Sequence, residues 1–330
     1  PGLGGIIVGM GKWEYIFLIN VPIGIAALVA ASKLLGKGHK TAQGKLDGAG
    51  AILIMLAIVP LFMSLSEGLN RGYTDPLILA GFLVAVVSFL IFVHLEKRSE
   101  NPLIQLQLFG NKLFSLSVFC AFVSFVAIFC SNIILPFYLQ DVRGYTPQHA
   151  GLIMMTYPLI LMVAAPVSGH LSDKVGSEIL TFIGLVSTSL GLFFMSGLNE
   201  HSALPIMLLF IAAMSLGNGL FQSPNNALVM STVSRNQLGV AGSVNALVRN
   251  MGMVCGISLA TTLLYRMMSF KIGYRVTDYV AGNNGAFIYG MKTVYLTAAA
   301  ICFVGAVLTL IRLIKASQRV MIMNRDLENK

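Results

Sequence analysis

The chain has 330 residues, 56% hydrophobic and 11% charged, with a formal net charge of +9. Soluble domains carry about 25% charged residues, so this composition, at a mean hydropathy of +0.81, excludes an ordinary soluble domain and places the chain among polytopic helical membrane proteins. The basic residues gather at the ends of apolar runs and form no single stripe, which argues against a nucleic-acid surface. Cys120, Cys130, Cys255 and Cys302 lie inside apolar runs without metal-ligand spacing, and the five histidines are scattered. Neither a disulfide framework nor a metal site is expected from them.

In chain order, Pro1-Gly2-Leu3-Gly4-Gly5 opens an apolar run to about Gly11, and glycine there permits close packing and bending. The chain begins inside this helix, at Pro1, and reads as the C-terminal part of a longer protein. Trp13 and Tyr15 form an interfacial aromatic anchor for a helix ending near Leu35. Within it, Asn20 and Pro22 either satisfy backbone groups in the membrane or touch a substrate. The loop 36–47 holds Lys37, Lys40 and Lys45 and is placed in the cytoplasm. Asp47 caps a span over about 46–65, and a short outer loop leads to a second span over 77–95. A polar cytoplasmic linker, 96–112, precedes six spans at about 113–139, 150–168, 179–197, 204–224, 239–264 and 293–314. A basic tail, 315–330, closes the chain. With this topology fourteen of the 22 Lys and Arg fall inside and seven outside, with Arg249 left in a span. That bias predicts a multi-pass protein of the cell membrane with a cytoplasmic C-terminus.

Between the spans 150–168 and 179–197 lies Gly169-His170-Leu171-Ser172-Asp173-Lys174-Val175-Gly176. Gly169 would let two helices approach, Gly176 would relax the turn, and Asp173 and Lys174 would sit at the water interface. The pattern Gly-x-Leu-x-Asp-Lys-x-Gly resembles the signature loop of major facilitator transporters, which joins the second and third helices of a six-helix bundle. In that superfamily the loop braces one bundle against the other. Two basic residues usually follow its last glycine; Ser177 and Glu178 stand there in this chain. Pro1 to Gly5 resembles the end of the Gly-Pro-x-x-Gly-Gly signature on the fifth helix of the superfamily's antiporters. Trp13-Glu14-Tyr15-Ile16-Phe17-Leu18-Ile19-Asn20-Val21-Pro22-Ile23-Gly24 resembles the start of the sixth helix in the fourteen-helix drug:proton antiporters.

The resemblance covers nearly the whole chain and implies an all-α polytopic membrane protein of the major facilitator fold. It implies about nine transmembrane helices, from the end of helix 5 to helix 14 of a fourteen-helix transporter. Residues 1–35 would end the N-terminal six-helix bundle, 36–112 would hold an extra helix pair with its linkers, and 113–314 would form the C-terminal six-helix bundle. The counterpart of the opening glycine helix would be 239–264, which carries Gly252-x-x-x-Gly256. That spacing fits either a close-packed helix between bundles or ordinary packing within one.

No Ser-His-Asp constellation, Walker loop or metal cluster stands out, so an enzyme is not expected. A secondary transporter needs a cavity near the midplane and a titratable coupling group. Arg249 lies about ten residues into its span, roughly 15 Å along the helix, where an arginine faces protein or water. Asn245-x-x-x-Arg249-x-x-Gly252 resembles the family's pattern on this helix; Arg249 reads as a charge partner in the transport cycle or as an arginine packed on helix-end carbonyls. Gly217 to Asn226 reads as a glycine-loosened helix end. There Asn218, Phe221 and Gln222 are candidates for the cavity, while Asn225 and Asn226 either hydrogen-bond a substrate or, the reading preferred here, terminate and cap the helix at Pro224. Asn132, within an apolar span, is a further cavity candidate, and Phe125, Phe129, Met154, Met155 and Tyr157 suit greasy cations or ordinary packing. Every carboxylate falls in a loop or at a helix end, so a coupling carboxylate is expected before residue 1.

The resemblance implies proton-coupled efflux of hydrophobic or cationic small molecules by alternating access. The proton gradient would be the driving force, with no cofactor and no nucleic-acid partner. The lipid bilayer and a missing N-terminal bundle of the same protein would be its partners. Two other readings stay open: the same scaffold exporting a metabolite or siderophore, and a non-transporting membrane receptor or scaffold.

Overall fold

In hydrocarbon each backbone N–H and C=O must be satisfied within the protein, and a helix does so within its own segment. The computed structural model of the chain is accordingly helical, with no strand among the described residues, which are residue 4 and residues 14–34, 47–99 and 102–328. In chain order the α-helices are α1 (Tyr15–Leu18), α2 (Asn20–Leu34), α3 (Gly48–Arg71), α4 (Pro76–Glu96), α5 (Lys112–Phe137), α6 (Pro147–Met154), α7 (Thr156–Val175), α8 (Ser177–Met195), α9 (Leu204–Ser231), α10 (Leu238–Ile272) and α11 (Asn284–Glu328). A 3₁₀ turn, Leu106–Gly110, precedes α5, and a π-helical turn, Tyr138–Val142, extends it.

Among the described residues eight segments are long and apolar enough to cross a membrane: α3, α4, α5 with its π turn, α6 with α7, α8, α9, α10 with the turn before it, and the first part of α11. They match the eight spans expected after residue 45. The helix expected before residue 35 is present as α2, whose 15 residues extend only about 22 Å, short of a hydrocarbon core of about 30 Å. Pro1, Gly5 and Trp13 lie outside the described residues. Gly4 is helical, with nothing within 4 Å of where a Cβ would stand.

Short polar side chains start four of the helices. Asp47 Oδ1 accepts the Gly50 N–H at 2.8 Å and caps α3. Asp75 Oδ1 accepts the Leu77 N–H at 2.8 Å ahead of Pro76 at the first turn of α4. Asn111 and Thr146 do the same for α5 and α6. The helices then assemble around α9, which packs on α7 and α8, while α5 packs on α10 and α11, and α8 on α11. Cys130, Leu185, Met214, Phe221 and Tyr295, all at most 1% exposed, mark the shared core. The hairpin α3–α4 leans on α10 from outside that core.

Four boundaries differ from the expected ones. α9 runs through Pro224 to Ser231 instead of ending near 224; Pro224 is buried among neighbouring helices, where a proline in a membrane helix is tolerated. α10 continues to Ile272 and α11 begins at Asn284, so the long outer loop expected over 266–291 shrinks to 273–283. Residues 315–328 of the basic tail continue α11. The expected signature loop is a corner at Gly176, because α7 holds helical geometry as far as Val175. Gly176 turns with φ +96°, a conformation that glycine adopts without strain.

Candidate functional site

Helix α9 is the axis of the site. A Cβ on its Gly217 would stand 2.7 Å from the Gly184 carbonyl oxygen of α8, and one on Gly219 would stand 2.5 Å from the Ala164 Cβ of α7. These glycines admit two neighbouring backbones and do not loosen a helix end, as the sequence suggested. The close approach lets polar groups bond across the gap. Ser168 Oγ donates to the Gly219 carbonyl at 2.7 Å, Ser215 Oγ to the Tyr157 carbonyl at 2.6 Å, and Asn218 Nδ2 to the Tyr157 hydroxyl at 2.6 Å.

This arrangement places two cavity candidates inside the bundle. Asn218 is 3% exposed and spends its amide on Tyr157; Phe221 is 1% exposed and belongs to the core. Both hold the bundle together and present nothing to an open cavity. Asn225 is buried as well, and its Nδ2 donates to the Ser117 carbonyl of α5 at 3.1 Å, so it joins two helices in mid-span where the sequence suggested a cap.

A polar patch on α9 and α10 is accessible. Gln222 and Asn226 are four residues apart on α9 and share a face; Asn245 and Arg249 stand at the same spacing on α10. Asn245 Nδ2 donates to Asn226 Oδ1 at 2.7 Å and ties the two pairs together. Gln222 and Asn245 are half-buried, while Asn226 and Arg249 are exposed. Among the described residues Arg249 forms no ion pair, and it lies 11 residues into α10, roughly 16 Å from its start. The sequence favoured capping for Asn226 because Pro224 pointed to a helix end; its i+4 spacing from Gln222 was the signal for the other reading.

Asn132 is elsewhere. Helices α5 and α10 run side by side in the same direction, with Phe125 against Gly252 and Phe129 against Gly256. That register puts Asn132 about ten residues beyond Arg249, roughly 15 Å along the bundle. The same contacts place Gly252 and Gly256 in packing within one bundle, one of the two readings their spacing allowed. Both face α5 within one bundle, and Cys130 Sγ donates to the Gly256 carbonyl at 3.3 Å.

Near the level of the patch, the interior holds a cation the sequence had assigned to the cytoplasmic side. Arg312 is 8% exposed; Nη1 donates to Ser117 Oγ at 3.1 Å and Nη2 to Thr181 Oγ1 at 2.7 Å. Thr181 passes its own proton to the Glu178 carbonyl at 2.9 Å. Arg312 thus joins α5, α8 and α11 by hydroxyl groups, with its Nε unpartnered. At the corner of α7, Asp173 and Lys174 are exposed. Gly169 faces Ser223 of α9 and not α8, since α7 packs mainly on α9.

The hairpin α3–α4 is fastened to α10 by polar contacts. Tyr73 Oη and Thr262 Oγ1 are 2.8 Å apart, and Ser258 Oγ donates to the Leu65 carbonyl at 3.0 Å. Large apolar residues cover the rest of the hairpin: Ile52, Met63, Leu83 and Leu90 are all more than half exposed, as expected of a lipid-facing surface.

Residues 117–320 match the family described as the Major Facilitator Superfamily. Over 310 residues the chain is 31% identical to YebQ, an uncharacterized transporter of Escherichia coli, covering 94% of this chain and 65% of that protein. It is 28% identical over 311 residues to RibZ, a riboflavin transporter of Clostridioides difficile, with the same coverage. It is 27% identical over 269 residues to Stp, a multidrug resistance protein of Mycobacterium tuberculosis, covering 82% of this chain and 50% of that protein. The chain therefore spans between half and about two thirds of the length of these relatives.

Proposed function

This chain belongs to the Major Facilitator Superfamily, and we propose that it is the C-terminal part of a fourteen-helix, proton-coupled antiporter that expels hydrophobic or cationic small molecules by alternating access. The observation that carries the reading is the linked patch Gln222–Asn226–Asn245–Arg249, an accessible polar surface deep in apolar helices. An exposed arginine at that depth is costly unless it meets water or protein. An aqueous cavity shared with an N-terminal bundle satisfies that demand. The hairpin α3–α4, standing outside the six-helix core, supports the fourteen-helix assignment. The multidrug resistance protein among the relatives supports the substrate class, and the riboflavin transporter shows that a narrower cargo suits the same scaffold.

In this reading Arg249 and the amides of Gln222, Asn226 and Asn245 face the cargo or its coupling charge. Asn132 stands in the opposite half of the same cavity. The coupling carboxylate lies upstream of residue 1, the proton gradient supplies the energy, and no cofactor takes part. The C-terminus is cytoplasmic and the membrane is that of the cell. The test is dye efflux from cells that make the full-length protein. Arg249→Ala at unchanged abundance is expected to lower efflux at least tenfold, and collapse of the proton gradient is expected to stop it. Efflux unchanged by either treatment would overturn the proposal.

A further inference from the structure

An apolar slot of about 440 Å³ runs between α3, α4 and α10, with Ile58, Phe89, Val93, Phe109, Val244 and Met251 in its wall. It follows the helices for roughly 10 Å, from the level of Val244 to that of Met251. Leu106 belongs to its wall and also to that of a second hollow of about 650 Å³, which is polar. Glu96, Lys97, Gln105 and Gln237 line this hollow, at the point where α4 gives way to the linker. An apolar slot and a polar hollow that share Leu106 at the end of a membrane helix offer adjoining places for the two ends of one amphiphile.

The hollow specifies its charges. Glu96 is 4% exposed; its Oε1 accepts the N–H groups of Leu103 and Ile104 at 3.0 and 3.4 Å, while its Oε2 is buried without a partner. Asp47 lies close by: its carboxylate and Glu96 Oε1 both crowd the point where a Cβ on Gly50 would stand. Among the described residues neither carboxylate has an ion pair. A buried carboxylate oxygen calls for a donor, and two neighbouring carboxylates call for a cation. Lys97, in the same wall, supplies the opposite charge, and the glutamines supply amide donors.

We propose that slot and hollow bind one glycerophospholipid whose headgroup ends in a primary ammonium. An acyl chain fills the slot, and the phosphate lies against Lys97 and Gln105. The ammonium donates to Glu96 Oε2, the carboxylate oxygen left without a partner while Oε1 keeps the Leu103 and Ile104 N–H groups. A simple greasy cation is disfavoured by Lys97. A trimethylammonium headgroup has no N–H to give Glu96, and a glycerol headgroup brings no cation to the two carboxylates.

The test uses the full-length protein, delipidated in detergent and offered lipids of identical acyl chains. The headgroups are ethanolamine, choline and glycerol, and bound lipid is counted by native mass spectrometry. The ethanolamine lipid is expected to bind about tenfold more tightly than the choline lipid, the worth of a hydrogen bond to a charged group. Glu96→Gln is expected to bring the two within about twofold, whereas Lys97→Gln is expected to weaken both alike. Equal binding by the wild-type protein, a preference for the glycerol lipid, or no retained lipid would each overturn the proposal, whatever the variants do.

Discussion

Arg312 Nη2 donates to Thr181 Oγ1 at 2.7 Å, and so an arginine of the last helix holds α8 from inside the bundle. The guanidinium meets two hydroxyls and a backbone-linked chain, and among the described residues no carboxylate lies within ion-pair distance. Removing it deletes two hydrogen bonds from a charged donor, each worth about 1.5–3 kcal/mol. Arg312→Ala is therefore expected to destabilise the protein by about 3 kcal/mol in chemical unfolding in detergent. Arg312→Lys is expected to recover less than half, because a single ammonium cannot reproduce the planar fork that reaches Ser117 and Thr181 together.

The α8–α9 contact tolerates no side chain at Gly217. Its Cβ would collide with backbone atoms of Thr188 and Gly184, which cannot swing aside. Overpacking costs about 1–3 kcal/mol per added group, so Gly217→Ala is expected to lower the thermal midpoint and Gly217→Val to abolish the monodisperse peak in size-exclusion chromatography. Gly285, where a Cβ meets nothing within 4 Å, is the control: Gly285→Ala is expected to leave both readouts unchanged.

Tyr73 and Thr262 fasten the extra hairpin to the bundle. Interhelical hydrogen bonds within membranes average only about 0.6 kcal/mol, so a double-mutant cycle of Tyr73→Phe and Thr262→Val is expected to return a coupling of that size. A coupling above about 2 kcal/mol would mean that the hairpin depends on this pair alone and not on its apolar seam with α10.

Asn226 is the residue that the structure adds to the site. Asn226→Leu breaks its bond to Asn245 and is expected to reduce dye efflux about tenfold with the thermal midpoint held within two degrees. Asn226→Asp, which keeps an acceptor for Asn245 Nδ2, is expected to retain more efflux than the leucine variant. A leucine variant as active as the wild type would remove Asn226 from the site.

How far the sequence was readable follows from what each signal measures. Span number and order were legible because long apolar runs such as Leu77 to Leu95 have one stable backbone in hydrocarbon, and that is a local property. The end of α9 was not, because Pro224 marks a break only where neighbours do not enclose it, and its burial is a tertiary property. Asn218 and Gln222 illustrate the same limit within the site: four residues apart and alike in chemistry, one is sealed against Tyr157 and the other is half-buried. Arg312 looked like the cytoplasmic edge of a span because charge marks edges. Its burial depends on hydroxyls at Ser117 and Thr181, which are far away in sequence.

The measurement closest to the central claim is cargo movement by the purified full-length protein in proteoliposomes with an imposed pH gradient. A lipophilic dye cation is expected to accumulate in the acidic lumen only while the gradient lasts, and to fail to do so with Arg249→Ala. Dye that equilibrates without regard to the gradient, or that does not move at all, would contradict a proton-coupled antiporter built on this bundle.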